Sequence, residues 1–314
     1  FHRATAPSQA RLTVISTSHR RSTRQTVTSV GALLLAAMLS AACGTDAVQS
    51  PVVETPADST TPLVDRTAWQ TGLANPWDLA FLPDSTALIT ERGGRVRARR
   101  PGGALTTVAT IGDVLAVGEG GLLGLAIDPL FATNRFIYIC FSSGLNGAND
   151  NRLVRWRLAA DLTQLTDRTD LVTGLPRISS GRHSGCRPRF GPDGYLWIGT
   201  GDAATGTNPQ NPANLGGKVL RITRDGLGAP GNSLLAGGET RIYTLGHRNV
   251  QGIAFHPATG AAYSAEHGPS FDDEVTKLTA GGNAGWNPVP GYNESVSMTD
   301  LTRYPTAMPP LWKS

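Results

Sequence analysis

A strand–turn–strand unit recurs along the chain and constrains the fold more than any other feature. Each copy has an apolar strand, a turn built on Pro with Asp or Gly, and a second apolar strand. Four copies are visible, at residues 79–89, 125–139, 189–198 and 253–263. They lie about 45 to 65 residues apart and further strands follow most of them, which is typical of β-propeller blades. The sequence therefore predicts an all-β protein, and a β-propeller with about four blades rather than a β-sandwich.

Composition agrees with this fold class. The chain has 37 Gly and 21 Pro among 314 residues, which favours short strands joined by tight turns. No internal apolar stretch reaches the roughly 18 residues of a membrane-spanning helix.

The first 43 residues have the layout of an export signal. Five arginines precede an apolar run, 30–39, and a small-residue site that ends at Cys43. This predicts a signal of the lipoprotein type, with Cys43 as the lipid-bearing residue and the only link to a membrane. Plain secretion is the alternative, since Ser40 replaces the usual aliphatic residue. The protein is expected to be exported, as a cell-surface or periplasmic lipoprotein or as a secreted protein.

Charge and composition divide the rest of the chain. Residues 44–65, rich in Thr, Pro, Ser and acids, are predicted to form a flexible linker, followed by the propeller domain at 66–314. Because the leader holds five of the 28 basic residues and the chain has 24 acidic ones, the mature body is near neutral. This argues against a nucleic-acid partner. Export places Cys140 and Cys186 in an oxidising compartment, where a disulfide and two buried free thiols are both open.

Two residues of the third unit are candidates for catalysis. His183 lies in a Gly- and Ser-rich loop just before a strand, where an imidazole can act as a general base. Asp202 follows the next strand, after Gly199 and Gly201, and can orient a catalytic group. The alternatives are a loop histidine that bonds a neighbour and an aspartate that caps a turn.

The fourth unit has its own polar loops. Arg248 and Asn249 precede its first strand as His183 precedes that of the third, so both loops are expected at the same end of a propeller. Acids beside a Gly-Pro turn at 266–274 supply oxygen ligands that suit Ca²⁺, with a solvated acidic loop as the alternative. The GxGxxG match at 226–231 contains Pro and has no helical period after it, so it indicates a turn rather than a dinucleotide loop.

Six ordered motifs together give a more specific signal than any of these alone. They are PWDLAFLPD, GEGGLLGLAIDP, HSGCRPRFGPDG…GTGD, GGKVLRI, LGHRNVQGIAFHP and EHGPSFDDE…GGNAGW. In these motifs, from about Trp69 to Trp286, the chain resembles the soluble pyrroloquinoline-quinone (PQQ)-dependent glucose and aldose sugar dehydrogenases.

The resemblance implies a six-bladed propeller with the quinone over the mouth of its channel. It implies that His183 takes the proton of the anomeric hydroxyl of an aldose while hydride passes to the Ca²⁺-bound quinone, giving a lactone. Asp202 matches an acid at the same site, and Arg248 and Asn249 match groups that hold the cofactor. An external acceptor would then reoxidise the quinone.

The same resemblance implies two calcium positions, and the chain departs from the family pattern at one residue. The carbonyls of Gly268 and Pro269 match ligands of the catalytic Ca²⁺, and Glu274 and Ala284 match a second calcium position. Glu119, on the cofactor side of the site, stands where the glucose enzymes carry Gln, so glucose specificity does not follow.

The family also uses Lys and Arg residues of later blades to grip the quinone. Those segments are not among these 314 residues, so the resemblance implies missing C-terminal blades. It predicts weak or no activity for residues 44–314 alone and an active full-length gene product. Two other functions remain open: a calcium-dependent propeller lactonase that needs no quinone, and a secreted non-enzymatic propeller that binds glycans or proteins.

Overall fold

In a computed structural model, the described residues, 10–16, 65–233 and 235–314, form β-strands joined by turns and loops, with almost no helix. Four antiparallel sheets of four strands each follow one another along the chain, which confirms the predicted all-β propeller with four blades. Among these residues, no helix is long and apolar enough to cross a membrane.

The blades are built in chain order. The first two comprise β3 (Pro76–Phe81), β4 (Ala87–Glu91), β5 (Arg95–Arg99) and β6 (Leu105–Thr110), then β7 (Leu122–Ile127), β8 (Phe136–Ser143), β9 (Asp150–Leu158) and β10 (Leu165–Leu175). The last two comprise β11 (Gly185–Phe190), β12 (Leu196–Thr200), β13 (Lys218–Ile222) and β14 (Ile242–Leu245), then β15 (Val250–Phe255), β16 (Ala262–Glu266), β17 (Glu274–Lys277) and β18 (Pro310–Lys313). A short helix, α1 (Phe131–Asn134), and a 3-10 turn, Leu145–Gly147, lie in the second blade.

The blades belong to a compact unit that covers Gly72–Ser314, and a second unit covers Arg11–Thr71. A two-stranded sheet pairs β1 (Ala10–Ser16) with β2 (Asp65–Leu73). The predicted export signal and linker, including Cys43, otherwise lie outside the described residues.

The turn of the third blade shows how the repeated unit forms a hairpin. Gly194 donates its backbone N–H to the carbonyl of Gly191 at 3.0 Å and has φ +78°, a left-handed conformation that glycine adopts without strain. The Asp193 carboxylate accepts the N–H of Tyr195 at 3.1 Å and so fixes the start of the next strand. The five residues of β12 that follow are all buried, because this strand lies between apolar clusters on both faces.

Three apolar clusters fill the spaces between successive blades. The cluster of blades 1 and 2 includes Leu88 and Phe141, that of blades 2 and 3 includes Tyr138 and Ile198, and that of blades 3 and 4 is built around Trp197. A disulfide joins Cys140 of β8 to Cys186 of β11, with Cα atoms 5.3 Å apart. The cysteines are therefore bridged, and the bridge ties two neighbouring blades.

The innermost strands are joined by a polar cluster, the inner-strand hub of Asp78, Arg187 and Arg189. Asp78 on β3 lies 2.6 Å from Arg187 and 2.8 Å from Arg189, both on β11, and it accepts the N–H of Leu125 on β7 at 2.8 Å. Burial would raise the pKa of Asp78, but the hydrogen bond and charge of Arg189 and the charge of Arg187 outweigh it, and the pKa is lowered. The hub therefore holds an ionised carboxylate that connects three blades.

Candidate active site

The predicted site residues meet at one end of the blades, where the loops before β11 and β15 lie beside the loop after β12; we call these the mouth loops. Asp202 donates its N–H to the carbonyl of Arg248 at 2.8 Å, and Gly185 donates to Asn249 Oδ1 at 3.0 Å. Gly201 and Asn249 also form a β-bridge. The expectation that the loops of the third and fourth units open at the same end is confirmed.

Glycine allows two of these loops to approach closely. A Cβ atom on Gly201 would lie 1.8 Å from the carbonyl oxygen of His183, so a side chain there would force the loops apart. His183 itself has φ +54°, in the left-handed region that non-glycine residues rarely adopt, and such strain is concentrated at functional sites. The glycines of the third unit therefore place His183 against the end of β12.

His183 and Asp202 form a buried pair. His183 Nδ1 lies 2.8 Å from Asp202 Oδ1, and the two residues are 2% and 0% exposed, so the pair is shielded from bulk solvent. Asp202 Oδ1 also accepts the N–H of Ala204 at 2.8 Å. Its Oδ2 accepts the indole N–H of Trp286 at 2.8 Å and the hydroxyl of Tyr292 at 2.7 Å.

These contacts determine the tautomer of the imidazole. Three donors, the N–H groups of Ala204 and Trp286 and the hydroxyl of Tyr292, point at the Asp202 carboxylate, so its oxygens act as acceptors. The hydrogen between Asp202 and His183 therefore belongs to Nδ1, and His183 Nε2 carries the lone pair. Arg182 Nη2 lies 3.4 Å from Nε2. Nε2 is therefore on the side of the ring that faces Arg182. His183 thus has the arrangement of a general base held by a carboxylate.

A buried lysine supports the loop that carries Asp202. Lys218, at the start of β13, is fully buried and donates to the carbonyls of Asn208, Pro209 and Gly216 at 2.7, 3.0 and 2.6 Å. Asn208 in turn donates its side-chain amide to the carbonyl of Asp202 at 2.9 Å. Burial lowers the pKa of Lys218 to about 7, against the attraction of the Asp202 charge.

A second histidine–carboxylate pair lies in the fourth blade. His247 Nδ1 is 3.0 Å from Glu266 Oε1, and its Nε2 is 2.8 Å from the hydroxyl of Thr244. Glu266 Oε2 accepts the backbone N–H of Arg248 at 2.9 Å. Since both ring nitrogens have buried partners, this pair anchors the backbone of Arg248 and presents no free nitrogen.

Arg248 meets a carboxylate that the sequence motifs did not identify. Its Nη2 donates to Glu294 Oε1 at 2.6 Å, and Arg182 Nη2 donates to the same oxygen at 2.8 Å. Burial would raise the pKa of Glu294, but the hydrogen bonds from Arg248 and Arg182 outweigh it, and the pKa is lowered. Arg248 also donates to the carbonyl of His267 at 2.9 Å, whereas its buried Nε has no partner.

Glu119 and Asn249 complete the wall beside His183. Glu119 Oε2 accepts the backbone N–H of His183 at 3.0 Å and the side-chain amide of Asn249 at 3.1 Å. Its carboxylate therefore joins the connection between the first two blades to the loops of the third and fourth.

These groups line or lie beside an open cleft of about 580 Å³. Its walls include the predicted residues His183, Glu119, Arg248, Asn249, Gly268 and Pro269, together with Trp77, Arg92, Arg182, Gln251, His267 and Glu294. Asp202 lies behind His183 and is fully buried.

The residues matched to the second calcium position lie elsewhere. Glu274 lines a separate cavity with Trp312 and Val275, and its carboxylate accepts the hydroxyl of Thr299 at 2.8 Å. Burial raises the pKa of Glu274 to about 7 despite this hydrogen bond. Ala284 is buried beside the third blade, where its N–H donates to Leu245. No group of three or more His, Cys, Asp or Glu side chains suited to a metal occurs among the described residues.

The turn that carries Gly268 and Pro269 is tight. Gly268 donates its N–H to Asp273 Oδ1 at 2.9 Å, and a Cβ atom on Gly268 would lie 1.9 Å from the carbonyl oxygen of Phe271. Only glycine fits this turn, which holds the backbone of both residues at the cleft.

Two groups that contact the His183–Asp202 pair carry little signal in the sequence. Trp286 lies in the matched motif GGNAGW, where nothing distinguishes it from a core tryptophan, and Tyr292 lies beyond the last motif. Tyr292 and His183 are 109 residues apart in sequence, so no local pattern relates them.

The fold and the cleft define the class: a β-propeller protein with a polar ligand cleft at one end of its blades. The sequence model of the family described as glucose/sorbosone dehydrogenase matches residues 73–313. The chain belongs to this family, which confirms at that level the resemblance drawn from the motifs.

Individual relatives agree. The chain is 36% identical over 222 residues to aldose sugar dehydrogenase YliI of Escherichia coli, covering 69% of this chain and 60% of that protein. It is 33% identical over 259 residues to quinoprotein glucose dehydrogenase B of Acinetobacter calcoaceticus, covering 73% and 54%. The chain thus spans a little over half the length of these relatives. The PQQ-bound form of aldose sugar dehydrogenase from Streptomyces coelicolor superposes with a TM-score of 0.67 at 33% identity, covering 77% and 69%.

Proposed function

We propose that this protein oxidises aldose sugars at the anomeric carbon to lactones, with PQQ and Ca²⁺ as cofactors and an external electron acceptor. One observation carries the proposal: the buried His183–Asp202 pair, with 2.8 Å between Nδ1 and Oδ1, stands at a cleft lined by arginine and by the Gly268–Pro269 turn. Family membership supports the reaction class.

The residues of the cleft suit the quinone. PQQ is planar and carries several carboxylates, which favour arginine because its planar fork matches a carboxylate. Arg92, Arg182 and Arg248 all line the cleft, and the buried Nε of Arg248 has no acceptor among the residues that the structure describes. We expect Arg248, Asn249 and Glu119 to hold the cofactor, with Arg182 beside them.

The Gly268–Pro269 turn suits a hard cation. Backbone carbonyl oxygens are ligands that Ca²⁺ accepts, and its remaining ligands can come from bound molecules. When bound, PQQ would accept a hydride and Ca²⁺ would polarise its carbonyl. We keep Glu274 and Ala284, which do not line the cleft, as the second calcium position.

The protein's own part in the reaction is proton transfer and orientation. His183 Nε2 accepts the proton of the anomeric hydroxyl as the anomeric carbon gives up its hydride to the quinone. The sugar thereby loses two hydrogens and becomes a lactone. Asp202 keeps the proton of Nδ1 in place and stabilises the imidazolium that forms. Arg182, next to this nitrogen, and Glu119, bonded to the backbone of His183, both line the cleft and should bear on which aldose is accepted.

Titration separates this proposal from its rivals. PQQ and Ca²⁺ are added to the full-length gene product, visible absorption is followed for binding, and a redox dye reports oxidation of a panel of aldoses. We expect an absorption change that requires both cofactors, and a lactone product. Lactone hydrolysis without quinone would indicate the lactonase instead, and glycan binding without either reaction would indicate the non-enzymatic propeller.

A further inference from the structure

The tyrosine that contacts the His183–Asp202 pair comes from a part of the chain remote from both. Tyr292 lies in the long connection between β17 and β18, whereas His183 and Asp202 flank the first two strands of the third blade. Its hydroxyl is 2.7 Å from Asp202 Oδ2 and 2.9 Å from His183 Nδ1. One oxygen atom therefore touches both members of the pair.

We propose that Tyr292 is a positioning residue that fixes the tautomer of His183, and this role rests on the proposed function of His183 as the base. The hydroxyl hydrogen goes to Asp202 Oδ2, because that contact is the shorter one and its acceptor is charged. The tyrosine oxygen then presents only lone pairs to His183. Nδ1 thus faces two oxygens without hydrogen, Asp202 Oδ1 and the tyrosine oxygen, and has to carry the proton itself.

Burial supports the assignment of this hydrogen. Burial raises the pKa of Tyr292, and the charge of Asp202 raises it further, so the phenol stays protonated. Without the hydroxyl, Asp202 Oδ2 keeps only Trp286 as a donor, and Nδ1 keeps one acceptor in place of two. The alternative tautomer, with the proton on Nε2, then becomes accessible, and it lacks the lone pair that the reaction needs.

The test uses Tyr292→Phe in the full chain, with histidine labelled in its ring nitrogens. Long-range ¹H–¹⁵N spectra without cofactor report the tautomer of His183, whose signals are assigned by their loss in His183→Gln. We expect wild type to hold the proton on Nδ1 and Tyr292→Phe to show a mixture. An unchanged tautomer in Tyr292→Phe would overturn the proposal.

Tyr304→Phe is the matched control. It removes a hydroxyl from the same connection, one that bonds Asn287 at 2.8 Å, and should leave the His183 spectrum as in wild type. If Tyr292→Phe does not fold, 3-fluorotyrosine at position 292 keeps the packing and strengthens the donor. It should then shift the Nδ1 resonance of His183, and no shift would overturn the proposal.

Kinetics of the loaded enzyme give the second readout. Tyr292→Phe should lower kcat about tenfold with little change in KM for the sugar, because the base and not the binding surface is disturbed. A rise in KM with kcat unchanged would contradict the positioning role. If the wild-type full-length gene product shows no oxidation at all, the proposed function fails, while the tautomer experiment still decides the role of Tyr292.

Discussion

Blades 3 and 4 each carry a histidine–carboxylate pair at corresponding positions, and the pairs differ in what surrounds them. His183 and Asp202 are 19 residues apart, as are His247 and Glu266, and each histidine precedes the innermost strand of its blade. His247 has both ring nitrogens bonded inside the protein. His183 instead has its Nδ1 side bonded to buried groups and its Nε2 side near Arg182.

The third residue beside each pair also differs. Lys218 at the start of β13 attracts the charge of Asp202, whereas Glu274 at the start of β17 is repelled by that of Glu266. The same repeated unit therefore gives a structural pair in one blade and a candidate base in the other. The difference lies chiefly in the side chain at Nε2, which is a buried threonine hydroxyl at 2.8 Å in His247 and an arginine of the cleft at 3.4 Å in His183.

Replacing the two histidines should separate these roles. His183→Gln should lower kcat of the PQQ- and Ca²⁺-loaded enzyme by about 10²- to 10⁴-fold, because the proton acceptor is lost. Because the glutamine amide can still donate to Asp202, the free energy of unfolding should fall by about 1 kcal/mol, less than for a side chain without a donor. Steady-state oxidation of an aldose and urea unfolding measure the two effects. Activity close to that of wild type would remove His183 from the reaction.

His247→Leu should have the opposite profile. It deletes both buried contacts of the imidazole and leaves Glu266 with fewer donors, so we expect a loss of about 3 kcal/mol in the free energy of unfolding. The measurement is the urea midpoint with the slope unchanged. His256→Leu, at an exposed histidine of the same blade, is the control and should change stability little. Equal losses in the two variants would argue against a structural role for His247.

Replacing Lys218 should change the free energy of unfolding less than replacing His247 does, and the change should depend on pH. Lys218→Met leaves three buried carbonyls without their donor and should lower the free energy of unfolding at pH 7 by about 2 kcal/mol. The folded pKa of about 7 lies below the unfolded value of 10.5, so above pH 7 the unfolded chain binds the extra proton. The stability of wild type should therefore rise with pH relative to Lys218→Met, by at most about 1.4 kcal/mol per pH unit up to the unfolded pKa.

Paired unfolding curves at pH 7 and pH 9 test this linkage. If the difference in the free energy of unfolding between the two proteins stays constant with pH, Lys218 keeps its proton on folding and the prediction is wrong.

Glu294 should give the smallest effect. Its carboxylate forms ion pairs with Arg182 and Arg248. These ion pairs have to break if a carboxylate of PQQ binds the same arginines. Glu294→Gln keeps the shape and removes the charge, so the affinity for PQQ should rise by a few-fold to about tenfold. Absorption titration measures it, with Glu239→Gln at a pair remote from the cleft as control. Weaker binding in Glu294→Gln would show that Glu294 takes part in holding the ligand.

The amino-acid sequence alone is enough to predict the repeat, and the repeat predicts much of the site. Alternating apolar strands and Pro-containing turns specify hairpins locally, and four of them are enough to predict the blades. Since every copy runs in the same order, loops at the same point of two copies open at the same end. The repeat and the motifs are therefore sufficient to place His183, Asp202, Arg248, Asn249 and Gly268 together.

Which polar groups contact one another depends on the tertiary structure. Cys140 and Cys186 are bridged because β8 and β11 lie in adjacent blades, and Tyr292 and Glu294 reach the mouth from a connection with no repeat pattern. The different surroundings of His183 and His247 likewise depend on side chains far away in sequence. A local pattern encodes which face of a strand is buried, but contacts between distant residues depend on how the blades pack, and that packing assigns each histidine its neighbours.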